Sequence, residues 1–459
     1  MSRGVAVCVG AAVLLALSGP ALARSAAQPG VHAASAGAAQ QAGQPATSRD
    51  LLHREHAFLD GVEAEMLAGD PHAAARRLAS VEYDTASGFI RARFLLGMAY
   101  RRMAQPQRAV PIFREILAAH PGFPRVRLEL AQALAEAGEY ESARFHIQHV
   151  IAAGVDDTVE GRLRAMDRSL LAMRPWQFSA HVSVAPSTNI NSGTSATSFT
   201  VGGLPFVPAN RQKSGVGLRY GADLGYRHEL GGPLSLLFAG GFAQTDHQHV
   251  VYDHTYGYVS AGPQISLRTG RVGLDFSYGR SLEGGRLAVS TFGATAYTRV
   301  ALTPQTRIDL SVGVFEDTHD FRPYYNGHRL SLQGKLDRFL SSTSFVRLIA
   351  GYGRTSTEAL HFRSNAFTGG LGWYNEFRWG LTGYAEVTYR HAPFVHVFPG
   401  LNAPRLDRGV VGRLVITKRD LDLWGFAPQV ELSLARTWSN MPLYAYDNRT
   451  VNMRLIKDF

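Results

Sequence analysis

The sequence predicts an α+β chain in two folded parts: paired-helix repeats first, then a transmembrane antiparallel β-barrel of about fourteen strands. Three observations predict it. Residues 174–459 alternate apolar and polar side chains with a period of two. Residues 96–150 repeat at a spacing of 34 with helical patterning. Residues 1–23 have the charge, apolar run and small-residue ending of an export signal.

The signal is read from its parts. Arg3 supplies the positive start, residues 5–17 the apolar core, and Ala21-Leu22-Ala23 the cleavage pattern. That apolar run is too short to span a bilayer as a helix. The only cysteine, Cys8, falls inside it, so the mature chain is expected to carry no disulfide or thiol chemistry. Residues 24–49 are Ala, Gln, Gly, Ser and Pro in the main and read as a flexible linker.

Residues 50–173 read as the helical domain. Leu96, Gly97 and Tyr100 share one helix and Ala109, Phe113 and Ile116 the next, with Pro121 closing the unit. Leu130, Ala131 and Leu134, then Ala143, Ile147 and Val150, repeat the pattern. Gly97 and Ala131 let helices approach, and Gly138 suits the turn between helices. Spacing and residue types resemble the tetratricopeptide repeat; an ordinary helical bundle is the plainer alternative. Residues 57–81 form a looser earlier unit, and residues 158–173 a capping helix. First helices of such units line a concave groove. That face would hold Arg91, Phe94, Met98, Arg101 and Arg102, then Arg125, Leu128, Gln132 and Glu136. Arginine beside apolar side chains suits an acidic, partly unfolded client or a chaperone carrying it, although the same arginines also describe a solvated helix face.

The remainder, 174–459, reads as the barrel. Val216, Leu218, Tyr220, Ala222, Leu224 and Tyr226 point to one face, with Gly217, Arg219, Gly221, Asp223 and Gly225 on the other. The pattern returns in Val272, Leu274, Phe276 and Tyr278, in Ile308, Leu310, Val312 and Val314, and in Val451, Met453 and Leu455. Short connections at 229–233, 268–271, 303–305, 341–344, 377–380 and 420–423 alternate with long ones at 187–213, 246–254, 318–325, 355–363, 392–405 and 439–448. Short inner turns and long outer loops are the pattern of an outer-membrane barrel, whereas a soluble sandwich would leave so much sheet with open edges. The C-terminal Phe459 resembles the signal that barrel-assembly machinery reads.

Hydrophobic residues make up 45% and mean hydropathy is −0.09, which excludes a helical membrane protein but not a barrel, where only alternate residues face lipid. The net charge of +10 carries no nucleic-acid signature and fits arginines in a lumen, at lipid headgroups or on a groove. No nucleophile elbow, phosphate loop or cysteine–histidine ligand spacing marks an enzyme, and no cofactor is expected. Asp246, His247, His249, Asp253 and His254, with Asp317, His319 and Asp320, could gather a divalent metal, but polar loop bonding is the simpler reading, and no metal site is assigned.

The layout of export signal, small repeat domain and C-terminal barrel resembles the surface lipoprotein assembly modulators, called Slam. The segment Ala185-Pro186-Ser187-Thr188-Asn189-Ile190-Asn191 looks like the Asn-Ile-Asn stretch after that family's first barrel strand, though Ser187 stands where many relatives carry an acid. The resemblance implies an outer-membrane protein of type XI secretion, with its helices in the periplasm. It implies a client that is a surface lipoprotein or a secreted haem- or metal-acquisition protein; a periplasmic chaperone is an expectation from the arginine-lined groove. Polysaccharide export and a passive small-solute porin are the competing functions; a plain pore needs no docking arm.

Overall fold

The computed structural model describes residues 48–456, except 81–82, 84, 174, 202–203, 400–402, 420 and 422–425. The export signal, the linker up to residue 47 and the terminal Phe459 lie outside the described residues.

Among the described residues, seven helices come first. They are α1 Ser48–Leu67, α2 Pro71–Ala79, α3 Ala86–Arg102, α4 Pro106–Ala119, α5 Pro124–Glu136, α6 Tyr140–Ala152 and α7 Asp157–Met173. Local chemistry sets their ends. Asp70 and Thr85 cap α2 and α3 through side-chain bonds to the N–H groups of Ala73 and Gly88. Pro71, Pro106 and Pro124 open α2, α4 and α5, where a missing N–H costs nothing. Gly138 follows α5 with φ +84°, the left-handed turn the sequence called for. The described chain forms two compact units: α1–α3, and α4–α7 with the barrel. Most residues expected to pack are buried: Leu96 and Gly97 on α3, Ala109, Phe113 and Ile116 on α4, Leu130, Ala131 and Leu134 on α5, and Ala143, Ile147 and Val150 on α6, while Tyr100 on α3 is half-buried.

The sheet begins with β1 Trp176–Ser187, followed by the small hairpin β2 Phe199–Val201 and β3 Leu204–Phe206. Then come β4 Gly215–Gly231, β5 Leu234–His247, β6 His254–Leu267, β7 Gly270–Glu283, β8 Arg286–Thr303, β9 Thr306–His319 and β10 Gly327–Ser341. The rest are β11 Ser344–Thr357, β12 Ser364–Glu376, β13 Leu381–Val397, β14 Pro404–Lys418, β15 Ala427–Ser439 and β16 Tyr446–Ile456. Fourteen of them, all but β2 and β3, close into one antiparallel barrel in which β1 meets β16. A closed barrel pairs its backbone between strands and leaves no edge, which is what a bilayer core requires.

The predicted faces are the observed ones. Val216, Leu224, Leu310, Val314 and Met453 are all exposed on the outside. The inside is polar and cross-linked by ion pairs such as Arg413–Glu431, Arg329–Asp317 and Arg299–Asp309. The fourteen barrel strands run from 11 to 18 residues, longer than the ten or so that cross hydrocarbon. One connection departs from the expected alternation. Between β7 and β8 the long-loop side turns on Gly284 and Gly285 alone, at φ +58° and +76°, a tight turn only glycine enters freely.

Candidate functional site

Where α4–α7 meet the barrel, the inward residues at the short-turn ends of β9–β13 form a layer. Asp337 accepts from Arg307 at 2.8 Å and from Arg347 at 2.6 Å. Phe345 sits between Phe339 and Tyr374, with ring centroids 5.3 and 5.0 Å away, and Tyr384 donates to Glu386. Alternation in each strand puts these side chains inside, because Leu340, Val346, Leu348, Trp373 and Val387 occupy the exposed outer face.

Helices α5 and α6 lie on that layer. Ala152 packs with Phe339 and Phe345, and the His149 ring meets Phe339 and Tyr374 edge-on. His149 Nδ1 donates to the carbonyl of Ser342 at 2.6 Å. Arg307 reaches up to Gln148 Oε1 at 3.1 Å. The joint is pinned by charge. Arg127 of α5 grips Glu376 at the end of β12 through both guanidinium nitrogens, the longer contact 3.1 Å, and both side chains are 1% exposed. Arg419, after β14, adds a third charge at 3.0 Å, and Tyr374 donates to the same carboxylate. Arg127 also donates to the carbonyl of Pro121 and to His146 Nδ1. The last carbonyls of α4 find partners in the β12–β13 turn: Trp379 N–H donates to Ala118 O at 2.6 Å and Arg378 Nε to Ala119 O. Arg168 of α7 reaches the carbonyl of Arg268 in the β6–β7 turn.

Burial keeps both histidines of α6 neutral. His149 is pushed down to about 4 by desolvation, with Arg127 and Arg419 pushing the same way against Glu376. His146 is held well below the ordinary range by burial, then by the same two arginines.

The Asn-Ile-Asn segment serves the opposite end. Asn189 is buried and donates to Gly193 O at 2.9 Å and Asp447 O at 3.2 Å while accepting from Gly193 N. Asn191 donates to Asn210 and Arg211 O and accepts from Lys213 N. Ile190 covers Gly215, where a side chain would collide with it. Ser187 donates to Asn448 Oδ1 at 2.8 Å. The segment thus staples the first long loop to the start of β16, beside the barrel's closure. That closure is thin: β1 and β16 register at Ser183 opposite Arg454, Val184 opposite Met453, and Ser187 opposite Thr450.

The residues assigned to the groove lie on both units. On α3, Arg91 is already bound to Asp60 at 2.6 Å and Glu63 at 2.8 Å, which raises its pKa. Phe94, Met98 and Arg101 are half-buried and Arg102 is exposed. On α5, Arg125 is exposed beside Glu129, Leu128 and Gln132 are half-buried, and Glu136 is exposed. Three of the acids considered for a metal accept hydrogen bonds from their neighbours. Asp253 accepts from His247 N, Asp246 from Tyr220 and Gln244, and Asp317 from Thr291 and Arg329. Sequence reasoning missed the Arg127–Glu376–Arg419 joint; the one signal was an arginine on the buried side of α5.

The comparisons follow this architecture. A family model described as surface lipoprotein assembly modifier matches residues 176–459, and a tetratricopeptide-repeat model matches residues 101–165. Two Haemophilus influenzae proteins are similar over most of their length. Surface lipoprotein assembly modifier 1 is 22% identical, covering 76% of this chain and 74% of the relative. Surface lipoprotein assembly modifier 2 is also 22% identical, covering 80% and 78%. Among solved structures, a bacterial polysaccharide outer membrane secretin covers 60% of this chain and 97% of its own at 12% identity and TM-score 0.31. A loop-deletion variant of OmpT from Vibrio cholerae covers 61% and 99% at 8% identity and TM-score 0.34. Because the family model spans well over half the sequence, the whole barrel included, this chain belongs to the surface lipoprotein assembly modifier family.

Proposed function

We propose that this protein is an outer-membrane translocator that helps deliver lipoproteins, or related soluble clients, to the cell surface. In this reading the helices stand in the periplasm, and their repeats dock the client or a chaperone that carries it. It is not an enzyme and needs no cofactor. The observation that supports the reading best is the buried joint of Arg127, Glu376 and Arg419. It fastens α5 to the inner end of the barrel, so cargo held by neighbouring helices is presented at the membrane. The names of the two relatives supply the client class.

The test is surface display. Arg91 is a poor choice for charge reversal, since a carboxylate there would face Asp60 and Glu63. Arg102 and Arg125 are exposed and suit it. Arg102→Glu with Arg125→Glu should reduce protease-accessible lipoprotein on intact cells about tenfold at unchanged total lipoprotein. Unchanged display in that double variant overturns docking through these arginines.

A further inference from the structure

The outer surface of the barrel differs between its two ends. Five arginines face outward near the long loops: Arg280 on β7, Arg354 on β11, Arg408 on β14, Arg436 on β15 and Arg449 on β16. Each stands three or four residues inside the long-loop end of its strand. Their facing follows from alternation, since Phe276, Leu348, Ile416, Leu434 and Met453 share their parity and are exposed on the lipid side. The same interval at the short-turn end carries Arg338 alone among outward arginines of the described residues. Outward acids near the long loops are Asp246, Glu316 and Asp447, and Asp246 is taken up by Tyr220 and Gln244.

Two of the five are braced on rings: Arg280 donates to the Tyr278 hydroxyl and Arg436 lies 5.2 Å over Trp438. Beside Arg354 a cleft of about 420 Å³ opens between largely apolar walls from Phe276, Phe292, Val314 and Leu330, with Glu316 and His328 also in its lining.

An arginine on a lipid-facing surface is tolerated at the interface, where it can reach charge, and is costly deeper in. Guanidinium groups bind phosphate in a fork, with charge-assisted bonds. A belt of them on a lipid-facing surface, with a largely apolar cleft beside Arg354, calls for a ligand that carries phosphate and acyl chains in one molecule. We propose that this belt binds the phosphates of a multi-acyl phosphoglycolipid of the lipid A class, with an acyl chain in the cleft beside Arg354. The proposal places the long loops on the outer leaflet, which is the orientation of the reading above, but it requires no client.

Native mass spectrometry on the full chain in nonionic detergent tests it, using bisphosphorylated lipid A, the same lipid stripped of both phosphates, and inorganic phosphate. Bisphosphorylated lipid A should bind about tenfold tighter than the stripped form. Arg354→Gln, Arg408→Gln and Arg449→Gln together should erase that difference, whereas Arg338→Gln should keep it. Equal binding of the two lipids, full binding by the triple variant, or equal loss in Arg338→Gln overturns the proposal. Displacement of the lipid by equimolar inorganic phosphate overturns the choice of a lipid. Should the triple variant misfold, the comparison of the two lipids on the wild-type chain still decides. A failure here leaves client delivery untouched, because the assay contains no client.

Discussion

Glu376 shows how much one side chain can hold. It accepts from Arg127 and Arg419 and from the Tyr374 hydroxyl, at 1% exposure. Removing its charge leaves two guanidinium groups facing one another in a dry site. Breaking one partner of a buried pair costs about 3–5 kcal/mol, far more than a surface pair is worth. Glu376→Gln should therefore release α4–α7 to limited proteolysis while the barrel stays heat-modifiable on gels. Replacing Arg127, Glu376 and Arg419 together with apolar residues should restore much of the protection; protection as poor as in the single variant would deny the charge a role. Asn189 is a second such residue, donating and accepting at once. Aspartate cannot donate, so Asn189→Asp should cost about 1–3 kcal/mol and loosen the first long loop, read by hydrogen exchange at Gly193 and Thr194. Neither role was legible beforehand. Arg127 and Glu376 stand 249 residues apart and each reads alone as an ordinary surface charge. The Asn-Ile-Asn segment was noticed by resemblance, and its bonding partners on β16 lie beyond any local pattern.

Among elements, the strands were the most legible, because every second residue must face hydrocarbon and that demand writes itself into the sequence at each position. The turn at Gly284 and Gly285 was not, since an outer connection of two residues looks like a glycine inside one long strand. Helix α6 was legible as a helix with one buried stripe. Its second buried face, carrying His146 and His149, was not, since histidine is at home on a surface too. That face sets a pH dependence. Both rings are neutral when folded, with His149 at about 4, whereas in the unfolded chain they take a proton near pH 6.5. The unfolded state thus binds more protons between those limits, so the stability they confer is full above about pH 6.5 and falls as the pH drops toward 4. Thermal unfolding of α4–α7 should shift down over that interval. His149→Gln should flatten the shift, and an unchanged slope in that variant would place the titration elsewhere.

At the scale of the molecule, the joint has a consequence for the lumen. The inward layer of Phe339, Phe345, Tyr374 and Tyr384 closes against Ala152 from one side. At the other end, Tyr325 and Phe362 meet at 4.4 Å with their rings tilted, Phe398 meets Phe362 at 5.9 Å, and Arg405 lies over Tyr444, joining four of the long loops and the start of β14. A fourteen-strand barrel encloses less room than a porin of sixteen or eighteen strands. On the proposed reading α5 and α6 stand over that end of the lumen, and an open solute pore is not expected. The full chain in a planar bilayer should conduct only in brief, rare openings. Glu376→Gln, which frees α5 and α6 from the inner end, should raise the open time about tenfold or more, in proportion to the free energy the triad supplies. The Arg338→Gln variant, altered on the lipid face, should behave like the wild type. Steady porin-like conductance from the wild-type chain would show that the helices do not cover the lumen, and would leave the buried triad a purely structural fastening.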